Sequence, residues 1–124
     1  MSATILLVLI CLGICHWVCD YIFVTPEMLA AKRIGRPFLP IFDHALDHAF
    51  LMGVILFAFG VSNFILLALF QLVAHFLIDI GKGFINLKSP KYENPRNKCH
   101  WVIFGLDQFL HFLTIVIMVY LIKL

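Results

Sequence analysis

The sequence predicts an all-α protein, a four-transmembrane-helix bundle with both termini on the non-cytoplasmic side. Three observations carry that prediction. First, 63% of the 124 residues are hydrophobic and only 13% are charged, with a mean hydropathy of +1.02. That composition excludes an ordinary soluble globule and leaves a single integral membrane domain, residues 1–124. Second, four apolar segments approach the ~20 residues needed to cross a hydrocarbon core about 30 Å thick. Third, charge is segregated: seven of the nine Lys and Arg fall at residues 32–36 and 88–98, whereas all five Asp lie inside apolar segments.

The first span is residues 3–24. Nothing before Cys11 or Cys15 resembles a positive n-region or a small-residue cleavage site, so it reads as an uncleaved span. Thr25, Pro26 and Glu27 then supply a cap, a proline at the first helical position and an acidic first turn, predicting a short interfacial helix that Gly35 stops. Pro37 and Pro40 are expected to keep the chain extended up to the second span, residues 41–61. Only thirteen residues there, 49–61, form an uninterrupted apolar run. The span therefore reaches full length only if Asp43, His44, Asp47 and His48 are helical and sheltered by neighbours. Ser62 and Asn63 make a tight turn, which forces spans two and three (64–85) into an antiparallel hairpin. The loop 86–100 carries Pro90, Pro95 and most of the remaining charge. Span four is 101–122, with Trp101 and Tyr120 at aromatic-belt positions. The positive-inside rule sends the basic loops 25–40 and 86–100 to the cytoplasm and makes this a multi-pass protein of the cell inner (cytoplasmic) membrane.

Within that frame the ionisable residues form a pattern. His and Asp together number eleven, so about one pair four residues apart is expected by chance. Five occur: His16/Asp20, Asp43/Asp47, His44/His48, His75/Asp79 and Asp107/His111. Residues four apart share a helix face. Counted from the span ends, all lie in the cytoplasmic half, with His16, His48, His75 and His111 deeper and Asp20, Asp47, Asp79 and Asp107 shallower.

Carboxylates at membrane depth require compensation by protons, imidazolium or a metal ion. Imidazoles and carboxylates on facing helices are how bundles hold metals. His16, Asp20, His44, His48, His75, Asp79, Asp107 and His111 are thus the candidate metal ligands. Mixed nitrogen and oxygen donors favour one or two divalent ions, zinc first and Fe, Mn or Co after it. Asp47 or Asp79 is expected as a proton acceptor and Lys82, one turn beyond Asp79, as a group stabilising negative charge. Gln71 and Gln108 are expected to support ligands and not to ligate. The four cysteines read as small apolar filler.

The blocks His16-Trp-Val-Cys-Asp20-Tyr, His75-Phe-Leu-Ile-Asp79-Ile-Gly-Lys82 and Asp107-Gln108-Phe-Leu-His111, with Lys32 and the histidines of span two, resemble an uncharacterised family of small polytopic proteins of bacteria and their phages. The resemblance covers nearly the whole chain and implies no established activity. That family commonly has Gln where this chain has Val24. A looser similarity to membrane-bound metal-dependent hydrolases is an analogy of chemistry.

The expected function is therefore a membrane-embedded metal-binding protein, a metal-dependent hydrolase if an enzyme, acting on a lipid or isoprenoid phosphate at the cytoplasmic leaflet. Two alternatives are a non-enzymatic metal or proton conduit, and a phage or bacterial membrane effector whose cluster is structural. The expected partners are the lipid bilayer, anionic headgroups gathered by the basic loops, and a second copy of the chain; nucleic acid is not among them.

Overall fold

Local capping and apolar length together account for the helices in the computed structural model, which describes residues 2–123. Helix α1 (Ala3–Val18) starts where the Ser2 hydroxyl accepts the Ile5 amide at 3.2 Å, and it runs on as a π-helical turn over Cys19–Phe23. Thr25 caps α2 (Pro26–Ile34), and Gly35 ends it in the left-handed region at φ 74°. Helix α3 is Phe38–Ala58, α4 is Phe64–Asn86 and α5 is Lys98–Tyr120, with a short 3₁₀ turn at Pro90–Tyr92.

One boundary corrects the sequence reading. The chain is not extended up to residue 41, because α3 already starts at Phe38 and Pro40 is its third residue. The first turn of a helix has amides with no intrahelical acceptor, so a residue lacking an N–H is accommodated there.

Four helical runs, Ala3–Phe23, Phe38–Ala58, Phe64–Asn86 and Lys98–Tyr120, are long and apolar enough to cross a membrane. They close into a ring: α3 packs on α1 and α4, and α5 packs on α4 and α1, so α1 stands diagonal to α4. At one end of the bundle the α3–α4 turn grips the end of α5. Asn63 donates to the Leu121 carbonyl at 2.9 Å and accepts from the Lys123 amide at 3.1 Å. Val8, Leu12, Met52, Leu56, Leu67 and Met118 fill the adjoining core.

At the other end α2 lies across α3 and α4. Its approach depends on Gly83: a Cβ there would strike the Gly35 backbone. Asn86 Nδ2 then donates to the Arg33 carbonyl at 3.0 Å. This docking turns the buried edge of α2, Ala31 and Gly35, against the bundle and carries Lys32 in with it.

Candidate metal centre

The helical i,i+4 stripes converge in two layers. The deeper is a ring of four imidazoles, one from each long helix. Centroids are 5.0 Å apart for His16–His48, 3.8 Å for His48–His75, 4.1 Å for His75–His111 and 5.1 Å for His111–His16. The shallower layer is Asp20, His44, Asp79 and Asp107, again one residue per helix. Asp20 joins the layers, with its Oδ1 at 2.9 Å from His44 Nε2 and 3.3 Å from His48 Nε2, and its Oδ2 at 3.3 Å from His16 Nε2. Across the ring, Asp79 lies 3.3 Å from His75 and 3.4 Å from His111, and Asp107 lies 3.5 Å from His111. Asp20 stands in the π-helical turn, a local widening that often accompanies functional sites.

All eight expected ligands thus meet in one cluster, but Asp47 does not. His44 and His48 are fully buried while Asp43 is exposed and Asp47 only half-buried. Neither acid forms an ion pair among the described residues. The reason is helical phase: a residue one position away is turned by about 100°, so once the histidine edge of α3 faces inward the Asp43/Asp47 edge must turn aside. The expected place of Asp47 in the shallow layer is taken by His44. Lys82 does reach the cluster, 3.1 Å from Asp107 Oδ2 and 5.1 Å from the centre of the Phe104 ring.

Lys32 is the residue whose role in the cluster the sequence reading missed. Its ammonium sits 3.2 Å from Asp20 Oδ1, 3.3 Å from Asp79 Oδ2 and 2.9 Å from His44 Nε2. Burial works to lower its pKa, but Asp79, Asp20 and Asp107 hold it above the ordinary lysine value, so the group is a cation. A signal was present: Met28, Ala31, Lys32 and Gly35 stand at i, i+3, i+4 and i+7, the spacing of a helix face that packs inward.

The donor chemistry fits a metal ion. Asp20, His44, His48 and His75 each offer one ligand atom, and these atoms lie within 4.8 Å of one another; His16/His75/His111 and Asp79/Asp107/His111 form two further groups of the same kind. Ligand atoms around a tetrahedral ion with ~2.1 Å bonds are about 3.4 Å apart, so an ion would draw the group inward. Buried polar groups ordinarily have partners, yet His75 Nε2, both oxygens of Asp79, Asp107 Oδ1 and both nitrogens of His16 and His111 have no aligned hydrogen bond. Three carboxylates, Asp20, Asp79 and Asp107, face two ammonium groups, Lys32 and Lys82. With neutral imidazoles the cluster carries one net negative charge, which a divalent ion would more than offset.

Gln71 provides support behind His75. Its Nε2 lies 3.4 Å from His75 Nδ1, while its Oε1 has no partner. Amide oxygen and nitrogen are assigned from such networks. The exchanged orientation satisfies Oε1 with an Nδ1–H bond and leaves Nε2 of His75 free to ligate.

A cavity of about 260 Å³ reaches the shallow layer from the α2 and loop side. Asp20, Lys32, Lys82 and Asp107 line its inner wall, with Arg33 and His100 also contributing. Asp79 is fully buried.

Fold and site together define a class: an all-helical protein with four helices suited to a membrane and a His/Asp cluster that could hold a metal ion. Within that class, the chain belongs to the family described as protein of unknown function (DUF3307), whose pattern matches residues 7–124. No curated protein and no solved structure matches it.

Proposed function

We propose that the chain is a membrane-embedded metal-binding protein, a metal-dependent hydrolase acting on an anionic amphiphile, a lipid or isoprenoid phosphate, at the cytoplasmic leaflet. The observation that carries this reading is the convergence of Asp20, His44, His48 and His75, from three helices, within 4.8 Å and beside an open polar cavity. Imidazole with carboxylate favours zinc at that set, and Asp79, Asp107 and His111 could hold a second ion.

A divalent ion there supplies Lewis acidity and water activation near neutral pH. The remaining work falls to the chain. Lys32 and Lys82 present ammonium groups to the cavity wall, where they offset charge developing on a phosphoryl oxygen. Asp107, at the same wall, would accept the proton of the attacking water and return it to the departing alkoxide as the ester P–O bond breaks. Asp79 lies deeper than the expected proton acceptor would; its carboxylate stands 3.3 Å from His75 Nε2 and 3.4 Å from His111 Nε2, where it would share an ion with them. A conduit is disfavoured, because beyond the histidine ring Leu12, Met52, Leu56 and Met118 are fully buried in an apolar cluster, with Gln71 and Thr114 the only buried polar side chains on that side among the described residues.

One observation favours a second reading. The Lys32 ammonium already stands among Asp20, Asp79 and His44, so the cluster could be an ionic latch between helices with no metal. Metal content of detergent-purified protein separates the two. The metal reading expects about one ion or more per chain in wild type, loss in His75→Ala and Asp20→Asn, and retention in Lys32→Met. Metal-free wild type after growth with ample zinc, with Lys32→Met unstable, would establish the latch instead.

A further inference from the structure

A second cavity meets the first at Lys82, Ile103 and Asp107. It holds about 310 Å³ between α4 and α5, and apart from Lys82 and Asp107 its lining is apolar, including Leu77, Ile78, Gly81, Leu106 and Leu110. Gly81 adds no side chain to the lining, and the space at its Cβ position is open. The groove faces outward, with Leu77 59% and Leu106 47% exposed. From Leu77 to Ile85 it runs about 12 Å at 1.5 Å per residue, which with its volume gives a mean cross-section of about 26 Å². That is room for one hydrocarbon chain between the two helices.

The polar cavity has a matching charge requirement. Its wall carries Lys32, Arg33 and Lys82 against Asp20, Glu93 and Asp107, three cations to three acids. The carboxylates of Asp20 and Asp107 are tied to Lys32 and Lys82, while the exposed Arg33 has no ion-pair partner among the described residues and offers a guanidinium fork suited to phosphate. With Asp79 counted behind the wall, the site has four acids to three cations, so a bound divalent ion leaves it one positive charge in excess and favours an anionic headgroup such as a phosphate.

We infer that the joined cavities bind one single-chain lipid phosphate, its tail in the α4–α5 groove and its phosphate among Lys32, Arg33 and Lys82, entering sideways over the Lys82–Asp107 pair. This rests on the metallohydrolase reading and names the substrate class and entry side for that site.

The test is calorimetric titration of zinc-loaded protein held in amphipol, so that no detergent tail occupies the groove, with zinc content measured on the same sample. Decyl phosphate is expected to bind at least tenfold more tightly than inorganic phosphate. Gly81→Leu and, from the facing helix, Leu106→Trp are expected to remove that advantage while zinc content and inorganic phosphate affinity stay unchanged. Arg33→Ala is expected to weaken both ligands about tenfold. Equal affinity for the two ligands, decanol binding as tightly as decyl phosphate, or undiminished decyl phosphate binding in both groove variants overturns the inference and leaves the metal reading standing. Failure to take up zinc overturns the metal reading, and this inference with it.

Discussion

The two halves of this bundle are built from the same four helices and held together by opposite means. Near the α3–α4 turn, Val8, Leu12, Met52, Leu56, Leu67, Ile115 and Met118 interlock as an apolar core. Near the basic loops the positions facing inward are His16, Asp20, His44, His48, His75, Asp79, Asp107 and His111, with Lys32 inserted from α2. Apolar packing in a bilayer gains little from burial itself and relies on close fit. A buried ionic cluster carries a desolvation cost that packing alone avoids. A chain that needed only cohesion could have extended its aliphatic half; the ionisable half is the one whose side chains could hold a metal ion.

The comparison breaks first at His75, which belongs to two of the three ligand groups. His75→Ala is expected to lower metal affinity by more than about 100-fold, beyond the 10–100-fold typical of residues that only support ligands, as read by competition with a chromogenic chelator. Leu56, fully buried in the other half, should show the reverse. Leu56→Ala is expected to destabilise the bundle by about 2–4 kcal/mol through cavity formation in an unfolding titration, with metal content unchanged. A smaller effect is expected for Gln71→Ala, about 10-fold in metal affinity from loss of the His75 Nδ1 partner. The smallest is Asp47→Asn, within about 0.5 kcal/mol of wild-type stability and with full metal content. Strong metal loss in that variant would show that the inward edge of α3 is the aspartate edge.

The half that the sequence made most legible is the ionisable one. Spacing of four placed His16 with Asp20, His75 with Asp79 and Asp107 with His111 on shared faces, and opposing chain directions put those faces at one height. Span two was the ambiguous case, since two registers of i,i+4 pairs, 43/47 and 44/48, ran along it. Only packing against α1 and α4 selects the histidine register. Lys32 was hidden for a different reason: it stands in a basic run, and only the close approach of Gly35 to Gly83 brings α2 down onto the bundle. Pro40 misled because proline breaks helix interiors yet fits a first turn. The π-helical turn at Cys19–Phe23 has no spacing signature that a pattern of apolar residues displays.

X-ray absorption at the zinc edge of the stoichiometrically loaded, detergent-purified protein reads the ligands themselves. A first shell of nitrogen and oxygen near 2.0–2.1 Å is expected, with outer-shell scattering from two or three imidazoles that diminishes in His48→Ala. A shell of oxygen alone, or sulfur ligation near 2.3 Å from Cys15 and Cys19, would place the ion elsewhere and contradict the His/Asp metal centre.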